Sequence, residues 1–187
     1  VGKYKAEVST GTRFNFNANF IDRPGVTKQT VLDKYEYELD IADYLFETAY
    51  NITFPDDPYS NDWGWRCMNE NLVMAYMNVN NPQYGEDVKF TKAELLELAK
   101  ELYGVENYKI HEDAFTEKDG IYRVNGHGGV AMKSDIVGIT DENGIFAVDM
   151  RYYTDIAEFG EAFVVRYTFE RTESVYGLRL VKIEKIK

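Results

Sequence analysis

Residues 141–153, Asp-Glu-Asn-Gly-Ile-Phe-Ala-Val-Asp-Met-Arg-Tyr-Tyr, decide the fold. Asn143-Gly144 supplies the two residues that tolerate the positive φ of a tight hairpin turn. Beyond it Phe146, Val148, Met150 and Tyr152 alternate with Ala147, Asp149, Arg151 and Tyr153. A period of two places the first set on a buried face of an extended strand and the second on the opposite face. Toward the C-terminus Phe163, Val165, Tyr167 and Phe169 repeat the pattern against Val164, Arg166, Thr168 and Glu170. The last strand, Tyr176 to Ile186, loses its alternation at Leu180-Val181, which predicts a bulge there. Toward the N-terminus, Met132 to Thr140 forms the other arm of the hairpin, and Ile121 to Val124 is expected to start the series after Asp119-Gly120. These segments together read as an antiparallel meander.

The first half has a different period. From Val31 to Tyr50, Leu32, Tyr35, Leu39, Ala42, Phe46 and Ala49 recur at three- and four-residue steps, predicting one amphipathic helix of about five turns, capped near Thr27 or Thr30. Pro55 and Pro58 end it. A second helix is expected from Asp62, its N-cap, to about Met77, with Trp65, Met68, Leu72, Ala75 and Tyr76 at helical spacing. Thr91-Lys92-Ala93-Glu94 is a capping box for a third, with Phe90 and Leu95 placed as a hydrophobic staple and Gly104 as the stop. At the start, Tyr4, Ala6 and Val8, then Phe14, Phe16, Ala18 and Phe20, alternate as a hairpin or arm before the turn at Asp22-Arg23-Pro24-Gly25. The fold class is therefore α+β. It is one domain, 1–187, with an N-terminal strand or arm (1–25), a helical half (26–104) and a curved antiparallel meander of four or more strands (119–187).

The chain has 187 residues, 21 Lys and Arg against 32 Asp and Glu, and a net charge of −11. At 44% hydrophobic residues it is a core-forming globular sequence rather than a disordered one. The acid excess, with no concentrated Lys/Arg stretch, argues against nucleic acid or an anionic membrane as partner. No apolar run approaches the roughly 20 residues of a membrane span. Cys67 is the single cysteine, so no internal disulfide forms, and with two His no zinc-type ligand cluster is assembled. No cofactor is expected. The chain opens on Val1 rather than Met, as a trimmed, exported protein would, and Asn51-Ile52-Thr53 fits the glycosylation triplet. The expected location is extracytoplasmic, secreted or anchored at the cell surface.

Three helices followed by a curved sheet resemble the nuclear-transport-factor-like and cystatin-like α+β domains. The run Asp119 to Val124, then Gly128-Gly129, Asn143-Gly144, Tyr167-Thr168-Phe169-Glu170 and the closing Tyr176 to Ile183 is similar to secreted or lipid-anchored domains of gut-type Gram-positive bacteria. The resemblance spans about residues 30–187 and lies in pattern, not in a diagnostic motif. It implies helices packed over the concave face of the sheet around a cone-like cavity, used in some relatives for small ligands and in others for catalysis.

Candidate site residues fall in three places. Tyr59, Trp63 and Trp65, among Asp56, Asp57 and Asp62, have the composition of a sugar platform, in which rings stack on the sugar and acids bond its hydroxyls. The competing reading makes the two Trp anchors of the helix. Tyr35, Trp65, Tyr152 and Tyr167 are expected to line the cavity, where Tyr hydroxyls suit a small polar ligand. His127, within Gly126-His127-Gly128-Gly129, precedes a strand rather than a helix, so the loop reads as a wide turn and not a phosphate cradle. Cys67 lacks a neighbouring His and reads as a buried thiol. The expected function is a non-catalytic ligand-binding or protein-interaction module. The alternatives are a cavity enzyme in which Tyr with Asp or His transfers protons, and carbohydrate binding at the Tyr59/Trp63/Trp65 loop.

Overall fold

The computed structural model describes residues 12–16, 22–45, 53–56, 59–82, 87–125, 132–154 and 162–187. The expected strand at Tyr4 to Val8, the Asn51-Ile52 part of the glycosylation triplet, Asp57, Pro58 and His127 lie outside the described residues. The fold is α+β. Its larger sheet has five strands, β1 (Thr12–Asn15), β5 (Lys133–Glu142), β6 (Ile145–Tyr153), β7 (Phe163–Arg171) and β8 (Leu178–Lys185), antiparallel throughout and in that spatial order. A smaller sheet has the order β2 (Phe90–Thr91), β4 (Ile121–Val124), β3 (Phe115–Lys118).

The hairpin that decides the fold forms as read. Asn143 (φ 52°) and Gly144 (φ 78°) take the left-handed conformations that let two residues reverse the chain. Phe146, Val148, Met150 and Tyr152 are buried, as are Val165, Tyr167 and Phe169 beside them. In β8, Leu180 pairs with Phe169 but Lys182 with Thr168, so Val181 is the extra residue of the predicted bulge. A second register shift lies between Ile136 and Gly138. Ile121 to Val124 departs from expectation, because β4 belongs to the smaller sheet. It follows β3, which the sequence reading missed, across a tight turn at Asp119 (φ 54°) and Gly120 (φ 78°).

The expected single helix over Val31 to Tyr50 is two helices in the described residues, α1 (Lys28–Lys34) and α2 (Glu36–Tyr44), broken at Tyr35. Tyr35 leaves the helical conformation (φ −107°, ψ 18°) and places its ring 5.4 Å from that of Phe146 in the core. The apolar period hides this break, because both helices bury the same side of the chain. Thr27 caps α1 through reciprocal bonds with Thr30. Helix α3 (Asp62–Asn80) is capped by Asn61, whose side chain accepts from the Gly64 N–H at 2.8 Å, and not by Asp62 as expected. Helix α4 (Lys92–Tyr103) carries the predicted capping box at Thr91 and Glu94 and stops at Gly104. The staple residues Phe90 and Leu95 are both buried.

One charged cluster is buried between α2 and the sheet. Arg171, at the end of β7, donates from Nε and Nη2 to the two Asp141 oxygens at 3.1 and 2.9 Å, and from Nη2 to Glu38 Oε1 at 3.0 Å. Glu38 and Asp141 are 2% and 3% exposed. The guanidinium also lies 5.6 Å from the Phe146 ring centre. Removing the single cation leaves two carboxylates in a low-dielectric site, a loss of roughly 3–5 kcal/mol for breaking a buried pair. Arg171→Met should therefore lower the urea midpoint sharply, while Arg151→Met at an exposed pair should lower it only slightly, a loss of under about 1 kcal/mol in unfolding free energy. Equal midpoints for the two variants would show that the buried cluster contributes nothing special.

Candidate functional site

The aromatic residues at the head of α3 separate into an anchor and an exposed ring. Trp65 is 5% exposed, donates its indole N–H to the Lys109 carbonyl at 2.9 Å and packs 4.8 Å from Tyr108. Tyr59 lies 4.2 Å from Trp65, carries the Lys109 ammonium 4.4 Å from its ring centre and donates its hydroxyl to the Asn107 carbonyl at 3.3 Å. Trp63 is two residues from Trp65, about 200° around the helix. It is 41% exposed, with the Arg66 guanidinium 5.3 Å from its ring. The structure thus brings Tyr59 and Trp65 together and turns Trp63 away from both.

Asp62, freed from the capping position, accepts from His111 Nε2 at 3.0 Å. His111 Nδ1 accepts from the Asp113 N–H at 3.1 Å, which assigns the neutral ring's proton to Nε2. The His111 N–H donates to Asn69 Oδ1 at 3.0 Å. The imidazole therefore ties the 104–114 loop to α3. No signal in the sequence pointed to it, because its partners are 42 and 49 residues away.

On the helix-facing side of the sheet, Tyr35, Tyr152 and Tyr167 are each 1% exposed or less. The hydroxyls of Tyr152 and Tyr167 share a hydrogen bond of 2.9 Å. Burial pushes both above the ordinary tyrosine range, and the neighbouring Asp43 carboxylate adds to it. Trp65 packs elsewhere, against Tyr59 and Tyr108. A void of about 20 Å³ remains on this side, lined by apolar groups of Ile41, Leu45, Leu102, Tyr103 and Leu178, room for about one water. Of the rings expected to line a cavity, Tyr152 and Tyr167 meet through their hydroxyls, Tyr35 packs on Phe146, and Trp65 lies apart from all three. Cys67 is likewise buried, and no cluster of three His, Cys, Asp or Glu suited to a metal occurs among the described residues.

Among the described residues, the opposite face of the same sheet is open. It forms a trough of about 1020 Å³ running across all strands from Arg13 on β1 to Glu184 on β8. Its floor is made of short side chains at outward positions of the alternation, including Thr140, Ala147, Val164 and Thr168. Gly138 sits opposite Asp149 in the register, and a Cβ there would stand 3.3 Å from Asp149 Oδ2. A bare backbone at that position lets the Asp149 carboxylate lie low. Asp149 then accepts from Arg166 Nε and Nη2 at 2.6 and 2.7 Å, directly across from it on β7. Arg151 pairs likewise with Asp135, and Arg13 with Glu142 at 2.8 and 2.9 Å. In each pair the arginine is the more exposed member, with side-chain exposures of 75% against 27%, 48% against 38% and 44% against 20%. The sequence placed Asp149, Arg151 and Arg166 on the face opposite the buried rings of their strands, but did not mark Arg13, Asp135 and Glu142 as sharing a surface with them.

Comparison with family models, curated proteins and solved structures returned no match.

The buried tyrosines set an alkaline limit to the fold. Burial, with Asp141 nearby, pushes Tyr35 up to about 12. Burial also pushes Tyr176 up to about 12. An unfolded tyrosine releases its proton near 10, so above that pH the native state binds more protons than the unfolded state and stability falls as pH rises. The urea midpoint should be level below pH 10 and decline steadily between pH 10 and 12. A midpoint that stays constant to pH 12 would contradict this placement of the tyrosines.

Proposed function

We propose that this chain is a non-catalytic binding module whose ligand surface is the open face of the five-stranded sheet. The observation that carries the reading is the contrast between the two faces. On the helix side Tyr35, Phe146, Tyr152, Tyr167 and Phe169 are buried, whereas the other side holds a trough of about 1020 Å³. A trough of that size, with polar side chains on a floor of small residues, accommodates an extended ligand. Its carboxylate Asp149 is committed to a two-bond pair with Arg166, an arrangement that fixes side chains in place rather than moving protons. Service outside the cytoplasm, and kinship with the nuclear-transport-factor-like and cystatin-like domains, are parts of the same proposal. They are supported by the helices-then-sheet order and the residue pattern of the strands.

A second reading, contact with glycans at the head of α3, is favoured by Trp63 alone, whose ring is 41% exposed. Trp65 and Tyr59 support it only by holding the helix terminus in place.

Amide chemical-shift mapping with a mixed library of fragments, short peptides and oligosaccharides separates the two. The shifts should concentrate on Gly138, Ala147 and Thr168, and should vanish in an Ala147→Trp variant that keeps its melting temperature. Shifts confined to the Trp63 indole, with the sheet face silent, would transfer the function to the glycan reading.

A further inference from the structure

We infer that the 104–114 loop is an acid-released strap over the head of α3, with the His111 imidazole as its catch, an inference that does not rest on the sheet-face reading above. Three bonds hold the strap to α3 and to the segment before it. The Trp65 indole N–H donates to the Lys109 carbonyl, the Tyr59 hydroxyl to the Asn107 carbonyl and the His111 N–H to Asn69 Oδ1. The imidazole adds two more, and this pair of bonds requires the neutral ring. Nε2 donates to Asp62, while Nδ1 accepts from the Asp113 N–H.

A second ring proton has one place to go, Nδ1, and there it meets another donor. The Asp113 N–H loses its acceptor, and a positive charge is set on a side chain only 7% exposed. The ion pair gained with Asp62 offsets little of this, because that carboxylate is 90% exposed. Among the described residues Asp62 alone forms an ion pair with the ring. Arg66 and Glu70 on α3 are bonded to each other, Arg123 on β4 is bonded to Asp87, and on the loop itself Lys109 lies over the Tyr59 ring while Glu112 and the Asp113 carboxylate form no ion pair with His111. The strap also carries a group that its bound position leaves unsatisfied. Tyr108 packs 4.8 Å from Trp65 and is buried, and its hydroxyl has no hydrogen-bond partner. Movement of the loop returns that hydroxyl to water, so one buried polar group opposes the pinned arrangement and a neutral imidazole keeps it. The released state takes up a proton that the pinned state excludes, so acid shifts the balance toward release. Release uncovers Tyr59 and Trp65 beside the exposed Trp63.

Proton–nitrogen correlation spectra of the whole chain, recorded from about pH 8 to about pH 5, where histidine changes its charge, test this. The His111 ring, the Asp113 amide and the Trp65 indole should move on one single-proton curve, running from 10 to 90% over about two pH units. The Trp63 indole should not follow it. His111→Asn, whose short side chain accepts from an N–H two residues on without titrating, should abolish the movement of the Asp113 and Trp65 signals. Tyr108→Phe, which deletes the unpartnered hydroxyl, should carry the midpoint to lower pH, by about one unit for each tenfold gain of the pinned state. Titration of the His111 ring with the Asp113 and Trp65 signals fixed would overturn the inference. So would an unchanged curve in His111→Asn, or a Tyr108→Phe midpoint at or above that of the parent chain. If His111→Asn does not fold, the coincidence of the three curves in the parent chain decides alone, and separate midpoints for ring, amide and indole end the proposal.

Discussion

The ion cluster of Arg171, Asp141 and Glu38 is the constraint on which the rest of the arrangement depends. It joins residues 30 and 133 positions apart in the chain and locks α2 onto the ends of β5 and β7. Two carboxylates and one guanidinium in a nearly dry site are tolerable only while all three remain in register, since any one left alone carries a full desolvation cost. That condition fixes which face of the sheet the helices cover. Tyr35 lies in the same region, its ring against Phe146, and the break between α1 and α2 is what brings it there.

Once the helices are fixed on that face, the large rings of β6 and β7 have one place to go. Phe146, Tyr152, Tyr167 and Phe169 are buried in the layer between helices and sheet. The short and charged side chains of the alternate positions then form the other face. There the arginine–carboxylate pairs span neighbouring strands and hold their side chains low and ordered. The same alternation that buries the rings on one face sets short and charged side chains on the other, the surface on which the proposed function rests.

Much of this organisation was legible in the residues. Asn143-Gly144, the alternation on either side of it and the slip at Leu180-Val181 gave the hairpin, the faces and the bulge, because turn chemistry and a two-residue period are local properties. Thr91 to Glu94 gave the start of α4 for the same reason. The break at Tyr35 escaped notice because apolar spacing is blind to a change of direction that keeps the same side buried. Asp62 was read as a cap because Asp and Asn are nearly equivalent there, and only the bond from His111 shows why its carboxylate serves elsewhere. The smaller sheet was missed because β2 has two residues and β3 four, too few to establish a period.

The candidate site divides along the same line. Tyr59, Trp63 and Trp65 attracted attention as a cluster in sequence, yet helix geometry points Trp63 and Trp65 in opposite directions and buries the latter. Arg13, Arg151 and Arg166 drew none as a group, since they come from three strands and meet only when β1, β5, β6 and β7 lie side by side. The sequence by itself determined the elements, their caps and turns, and the two faces of each strand, all set by interactions a few residues long. Which face would be covered, which would stay open, and which distant charges would stand together were decided by the tertiary structure alone. Those choices depend on burying three mutually paired charges and a layer of rings at once, a condition no single segment can express.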